Sequence, residues 1–296
     1  MVGAEDAARL AAGLVGPDAV ATREGAGWDH VAWRVVGADG RPWIVRWGIE
    51  GDRDELATEV RREVAVMQAV REVLGELVAD AVVLDEDIGC LAHPRVPGTP
   101  LQELLAAGRV PASELDRLAG EIGALIATIG RVAAPELVVV EPGLPAWIAG
   151  LPEFVPVIEH LVPAGEGAAI DRFLATPPPP DPPPADLLLA HNDLGAEHVL
   201  VDPGTLAITG IIDWSDAARA DQAAELGRLL RDLGPDRLDA VLDGMGATTA
   251  ERPGLVARGW CYARCLVLED LAYAVRRRPD LVAMERASLT ALFATV

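Results

Sequence analysis

Two rhythms of apolar and polar positions run along this chain, and the place where one gives way to the other divides it. After a helical stretch at 6–15, segments 31–36 and 43–47 are rich in Val, Ile and Trp and flank the turn Gly37-Ala38-Asp39-Gly40, which predicts a β-hairpin. Residues 56–74 then carry Leu56, Val60, Val64, Met67, Val70 and Leu74, the spacing of an amphipathic helix. Two short strands at 81–85 and 89–92 precede a bend, His93-Pro94-Arg95-Val96-Pro97-Gly98. Strands, one helix and a bend make a small α+β lobe. Beyond Leu101 the helical period dominates, at 101–107, 112–129, 145–161, 221–232, 235–243, 254–277 and 280–295, interrupted by short strands at 187–190, 199–201 and 208–212. The stretch 176–184 holds seven prolines, which bars helix or central strand and reads as an extended surface loop. No internal repeat of fixed period is present. The expectation is an α+β, two-lobed enzyme, divided into 1–93 and 94–296.

Length supports that division, because 296 residues exceed the roughly 100–200 of an ordinary domain. No apolar run approaches the ~20 residues that span a bilayer. The opening MVGAEDAARL has acids where a secretion signal needs bases, so a cytoplasmic protein is expected. The cysteines Cys90, Cys261 and Cys265 read as core thiols, since an odd count in a reducing compartment makes no disulfide framework. A net charge of −21 repels nucleic acid and anionic membranes, expects neither as partner, and favours a cationic small molecule. All 25 basic residues are arginine. Any role that needs a cation must therefore fall to arginine.

The chemistry concentrates in His191-Asn192-Asp193-Leu194-Gly195-Ala196-Glu197-His198-Val199-Leu200, followed by Ile211-Ile212-Asp213-Trp214. Phosphoryl transfer asks little covalent work of a protein: a carboxylate to accept the proton of the attacking hydroxyl, and ligands for the magnesium ions that neutralise the phosphates. A loop aspartate, a ligand five residues on, and an aspartate across a hairpin supply those groups as Asp193, His198 and Asp213.

This segment resembles the catalytic core of the aminoglycoside phosphotransferase family, H-x-D-x-x-x-x-N, a hairpin, then I-D-W or I-D-F. The resemblance implies a protein-kinase-like fold, with Asp193 as base and Asp213 as the principal magnesium ligand. It runs on into Trp214-Ser215-Asp216-Ala217 and, more loosely, into Asp221 to Leu226, where the family has G-D-P-x-x-D-L. There Ala220, Gln222 and Glu225 replace the glycine, proline and second aspartate, so the retained Asp221 is expected to brace the catalytic loop. His198 occupies the family's asparagine slot, and the only asparagine in the chain is Asn192. Magnesium prefers oxygen to imidazole, so His198 implies a weaker second metal site. The chain is similar to macrolide phosphotransferases in placing histidine there.

The resemblance also implies a cation on the third strand, held by an acid on the next helix. Arg46 in Trp43-Ile44-Val45-Arg46-Trp47 fills the first place and Glu63 the second, with Glu59 one turn earlier as its rival. The loop Gly25-Ala26-Gly27-Trp28-Asp29-His30 between the first two strands would lay backbone amides over the phosphates of ATP or GTP, with Gly25 and Gly27 permitting the approach. The hinge, Ala92, His93 and Pro94, would offer backbone groups to the base. In the family the acceptor meets acids on the last helices, which points to Glu269 and Asp270 beside Asp193. The leading reading is a monomeric antibiotic O-phosphotransferase that uses Mg2+ and ATP or GTP on an aminoglycoside, macrolide or basic peptide. A metabolite kinase of sugar, choline or homoserine type is the alternative, and a nucleotide-binding pseudokinase the third reading.

Overall fold

A computed structural model of the chain describes residues 3–26, 30–49 and 51–294, so Gly27, Trp28 and Asp29 of the candidate phosphate loop lie outside the described residues. The chain packs as two compact units. One comprises Met1–Leu101, Val132–Val138 and His198–Ala217; the other Gln102–Arg131, Val139–Glu197 and Ala218–Val296. Packing thus groups the hairpin after His198 with the N-terminal residues, a grouping along different lines from the 93/94 division.

The first unit begins with α1 (Ala4–Val15), β1 (Val20–Ala26), β2 (His30–Val36) and β3 (Pro42–Gly48). It continues through α2 (Arg53–Leu74), β4 (Val82–Asp85), β5 (Cys90–Pro94) and β6 (Thr99–Pro100). Strands β1 to β5 form one antiparallel sheet in the order β1-β2-β3-β5-β4. Its mixed sequence VATREGA gives β1 no apolar alternation, and pairing to β2 rather than propensity defines it. Ala7, Ala11 and Val15 of α1 pack on Val35, Val45, Trp47, Cys90 and Ala92. Because side chains alternate across a strand, Val45 and Trp47 face this core while Arg46 between them faces the other way. Asp52 caps α2 by accepting the Asp54 and Glu55 N–H groups, and Glu55 reciprocates on the Asp52 N–H. The buried stripe Val60, Glu63, Val64, Met67 and Val70 repeats at helical spacing and includes one charge, Glu63.

Later in the chain β8 (Val199–Val201) and β9 (Ile208–Ile211) make a hairpin, with β6 on the far side of β8. The turn out of the bend needs glycine at 98: its φ is +126°, and a Cβ there would lie 2.3 Å from Thr209 Oγ1. The Ile212 N–H donates to the His198 carbonyl at 3.1 Å, which sets the register from which Asp213 emerges.

The second unit is mainly helical: α3 (Leu101–Ala106, but for its first residue), α4 (Ala112–Ile129), α5 (Leu144–Gly150), α6 (Val155–Ile158) and α7 (Ala164–Ala175). Beyond the proline run come β7 (Leu188–Ala190) and β10 (Ala218–Ala220), which pair antiparallel, then α8 (Ala223–Leu233), α9 (Leu238–Gly244), α10 (Arg252–Arg277) and α11 (Val282–Phe293). The single helix expected over 145–161 is broken into α5, α6 and short 3-10 turns, because Pro152 and Pro156 lack the N–H that a continuing helix needs. Among the described residues no helix is long and apolar enough to cross a membrane. The three cysteines are buried and free, as expected of core thiols.

Candidate active site

In the first unit Arg46 is the organising cation. Only 8% of it is exposed, and its guanidinium donates from Nη2 to Glu63 Oε1 and from Nη1 to Asp213 Oδ1 at 2.8 Å. The partner on α2 is Glu63; Glu59 is exposed. Burial pushes the Glu63 carboxyl up to about 7, against the pull of Arg46. Burial likewise pushes Arg46 down, but Glu63 and Asp213 outweigh it and hold the guanidinium above its ordinary value. His30, at the start of β2, is pushed down to about 4 by burial and then by the Arg46 charge. A cavity of about 250 Å³ opens beside the pair, lined by His30, Gly48, Arg62, Glu63, Ser215 and Asp216.

Asp213 sits just past β9 with φ +65°, a left-handed conformation that aspartate tolerates better than most residues. Its Oδ1 accepts from Arg46 and, at 3.1 Å, from Ser215 Oγ, while Oδ2 lies 3.8 Å from His198 Nε2. One carboxylate oxygen is thus committed to the cation, and the other shares an edge with an imidazole. A hard oxygen beside a softer nitrogen suits a divalent cation that draws its remaining ligands from phosphate and water.

Gly25 pairs with Ala32 after a bulge at Glu24 and is exposed. The expected strand end at 92 needs correction. Strand β5 continues through Pro94, placing Ala92, His93 and Pro94 opposite Val45, Ile44 and Trp43, and even the Arg95 N–H donates to the Pro42 carbonyl at 2.9 Å. The seven-residue β3 extends the pairing past the predicted strand end at 92, so the bend starts later. His93 is pushed down to about 4, chiefly by burial, and its Nδ1 lies 2.9 Å from the Pro94 carbonyl.

In the second unit helix α8 holds the loop that carries Asp193. Glu225, 1% exposed, accepts the Asn192 N–H on Oε1 at 2.7 Å and the Leu194 N–H on Oε2 at 3.1 Å, so its carboxylate spans Asp193. One turn on, Arg228 Nε donates to Asp193 Oδ1 at 2.9 Å. A further turn on, Asp232 accepts the Ala196 N–H at 2.7 Å, and Arg231 joins Glu197, Asp232 and Asp270 at 3.0, 2.6 and 2.7 Å. Residues three and four apart share a helix face, so these four side chains grip the loop along one edge. Burial raises the Glu225 carboxyl above its ordinary value, against the pull of Arg228 and the two backbone donors. Asn192 takes φ +67° to make the turn.

This arrangement overturns the bracing role expected of Asp221. That carboxylate instead accepts from the Ala223 N–H at the start of α8 and from Arg258 Nε at 2.5 Å. The brace is Glu225, one turn further along, which sequence reasoning treated as a replacement for the family's second aspartate. The signal for Glu225, Arg228 and Arg231 was their spacing, three residues apart among the apolar positions of α8.

Of the two acids on α10, Asp270 is engaged by Arg231, whereas Glu269 is half-buried and pushed up to about 7 by burial and then by Asp270, with Arg228 opposing. Glu153 and Glu141 add to the negative field at Glu269. Trp147 and Tyr262 stand edge to face at 5.3 Å, and the Arg228 guanidinium lies 6.0 Å from the Trp147 ring centre.

Several known proteins are similar to this chain. The phosphotransferase enzyme family matches residues 21–260. Aminoglycoside 3'-phosphotransferase of Streptomyces fradiae is 32% identical over 93 residues, which span 29% of this chain and 35% of that relative's length. The fold is similar to that of the GDP and kanamycin complex of APH(2")-IIia, with TM-score 0.70 and 20% identity over 93% of each chain. It is also similar to macrolide 2'-phosphotransferase type I, with TM-score 0.64 and 19% identity over 97% of this chain and 98% of that one. These likenesses bear out the kinase-like α+β fold expected from sequence. With its family match covering most of its length, the chain belongs to the phosphotransferase enzyme family.

Proposed function

We propose that the protein is an antibiotic O-phosphotransferase that transfers the γ-phosphoryl group of ATP or GTP to a hydroxyl of a small cationic antibiotic. The observation that carries this reading is the buried Arg46 held between Glu63 and Asp213, a cation and two acids of the kind phosphoryl transfer requires, built without lysine. The relatives named above as aminoglycoside and macrolide phosphotransferases support an antibiotic acceptor, and the neighbour complexed with GDP supports a nucleotide donor. Residues 1–93 would hold the nucleotide and 94–296 the acceptor, in a monomer working in the cytoplasm.

In this reading Asp193 accepts the proton as the acceptor oxygen attacks the γ-phosphorus. The bond from that phosphorus to the β–γ bridging oxygen breaks, and the nucleoside diphosphate leaves. Arg46, kept in place by Glu63, meets the phosphates. Magnesium bound with the nucleotide would neutralise phosphate charge; Asp213 Oδ2 and His198 Nε2 are the atoms that would hold it. Glu269, with Glu141 and Glu153 near it, favours a cation on the acceptor, while Trp147 offers an aromatic wall.

The test is a panel of aminoglycosides, macrolides, basic peptides, sugars, choline and homoserine, each incubated with ATP or GTP and scored by nucleoside diphosphate release. Release driven by an antibiotic and abolished by Asp193→Ala is expected. Release driven by a sugar, choline or homoserine alone would move the protein to metabolite kinases, and none with any acceptor would leave a nucleotide-binding module.

A further inference from the structure

Asp193 does not stand alone in its loop: a buried arginine three residues past the Glu225 brace donates to it. We propose that Arg228 is a positioning residue for Asp193, committing Oδ1 and so presenting Oδ2 as the oxygen that receives the acceptor's proton. The inference rests on the reading of Asp193 as base.

The geometry assigns the guanidinium to Asp193 rather than to its other acidic neighbours. Arg228 is 5% exposed and lies in the field of Asp193 and Glu225 together, yet its Nε–H hydrogen bond goes to Asp193 Oδ1 at 2.9 Å. Each Glu225 oxygen already accepts a backbone N–H group. The side chain is itself held: it leaves a helix whose neighbouring residues grip the loop, and the Trp147 ring flanks its guanidinium at 6.0 Å. A planar fork with one donor fixed on a carboxylate sets the carboxylate's rotation as well as its distance, which a point charge does not. Removing it would leave Asp193, Glu225 and Glu269 without their shared cation, so Asp193 would turn toward solvent. A base misplaced by about 1 Å loses on the order of 10²-fold in rate.

Arg228→Met, Arg228→Lys, Asp193→Ala and the double variant Arg228→Met/Asp193→Ala are compared by nucleoside diphosphate release with the best acceptor, alongside thermal melting. Arg228→Met is expected to lower kcat about 10²-fold while the nucleotide KM stays within about twofold, because orientation and not ground-state binding is lost. Arg228→Lys should fall between, and ethylguanidinium added to Arg228→Met should restore part of its turnover. In the Asp193→Ala background Arg228→Met should cost nothing further. A full additive loss in that background, or Arg228→Lys turning over like the wild type, overturns the positioning role. Should Arg228→Met melt below the assay temperature, the Arg228→Lys kcat and KM decide the question by the same criterion. An Asp193→Ala protein that keeps its turnover removes the base assignment itself, which separates that failure from one in which Asp193 is essential and Arg228 acts independently of it.

Discussion

Replacing Glu225 with alanine should loosen the loop that carries Asp193 specifically. The wild-type carboxylate accepts two backbone N–H groups, at 2.7 and 3.1 Å, in a position 1% exposed. Hydrogen bonds to a charged acceptor contribute roughly 1.5–3 kcal/mol each, so the two together stabilise the loop by about 3–6 kcal/mol. Part of this is returned on substitution, because burial already holds the carboxyl above its ordinary value and that cost vanishes with the side chain. A net loss of about 3 kcal/mol remains, equivalent to roughly a 100-fold change in local opening. Amide hydrogen exchange reads it directly. The Asn192 and Leu194 amides should lose roughly 100-fold protection in Glu225→Ala, while amides of β3, in the other packing unit, keep theirs. Glu225→Gln should fall between, since its amide group can accept one N–H but turns its own donors toward the other. Turnover should drop in both variants, because the two held amides flank Asp193. If the Asn192 and Leu194 amides of Glu225→Ala exchange within threefold of wild type, the brace is not Glu225.

Arg46→Met should destabilise the protein by about 3–5 kcal/mol, since it leaves Glu63 buried and unpaired; Arg46→Met/Glu63→Leu should recover most of that stability in denaturant melts without recovering nucleotide affinity. The Glu269 carboxyl, raised to about 7, is protonated below that pH and charged above it, so the KM for a cationic acceptor should fall as pH rises from about 6 to 8. Glu269→Gln should flatten that slope, and an unchanged slope would remove Glu269 from acceptor binding. Gly227→Ala should cost about 1–3 kcal/mol in thermal melts, because a Cβ would sit 2.7 Å from Tyr262 Cβ where α8 crosses α10. His198→Asn should lower the magnesium concentration needed for half-maximal turnover, because an amide oxygen replaces an imidazole; an unchanged requirement would place the ring off the metal.

What the sequence by itself determined is whatever rests on short-range spacing. The alternation through Val45, Arg46 and Trp47 put Arg46 on the face away from the apolar core, and the helical period of α2 put Glu63 among buried positions, because strand and helix geometry repeat within a few residues. The five-residue step from Asp193 to His198 and the hairpin return to Asp213 are local in the same sense, which is why the three could be named before any coordinates. Proline content announced the extended loop at 176–184, yet Pro152 and Pro156 were passed over inside an apolar period that looked helical. Tertiary structure alone decided which acid meets which donor. Asp221, just before α8, and Glu225, in its first turn, lie four residues apart and differ little as letters. The rotation of that helix and its close crossing with α10, where glycines 227 and 259 let the backbones approach, turn Glu225 to the loop and leave Asp221 to Arg258. The same rotation carries Arg228 to Asp193 across 35 residues of sequence. A buried charge is stable only where a partner from elsewhere in the chain arrives to meet it, and that arrival depends on how helices pack rather than on the sequence around the charge.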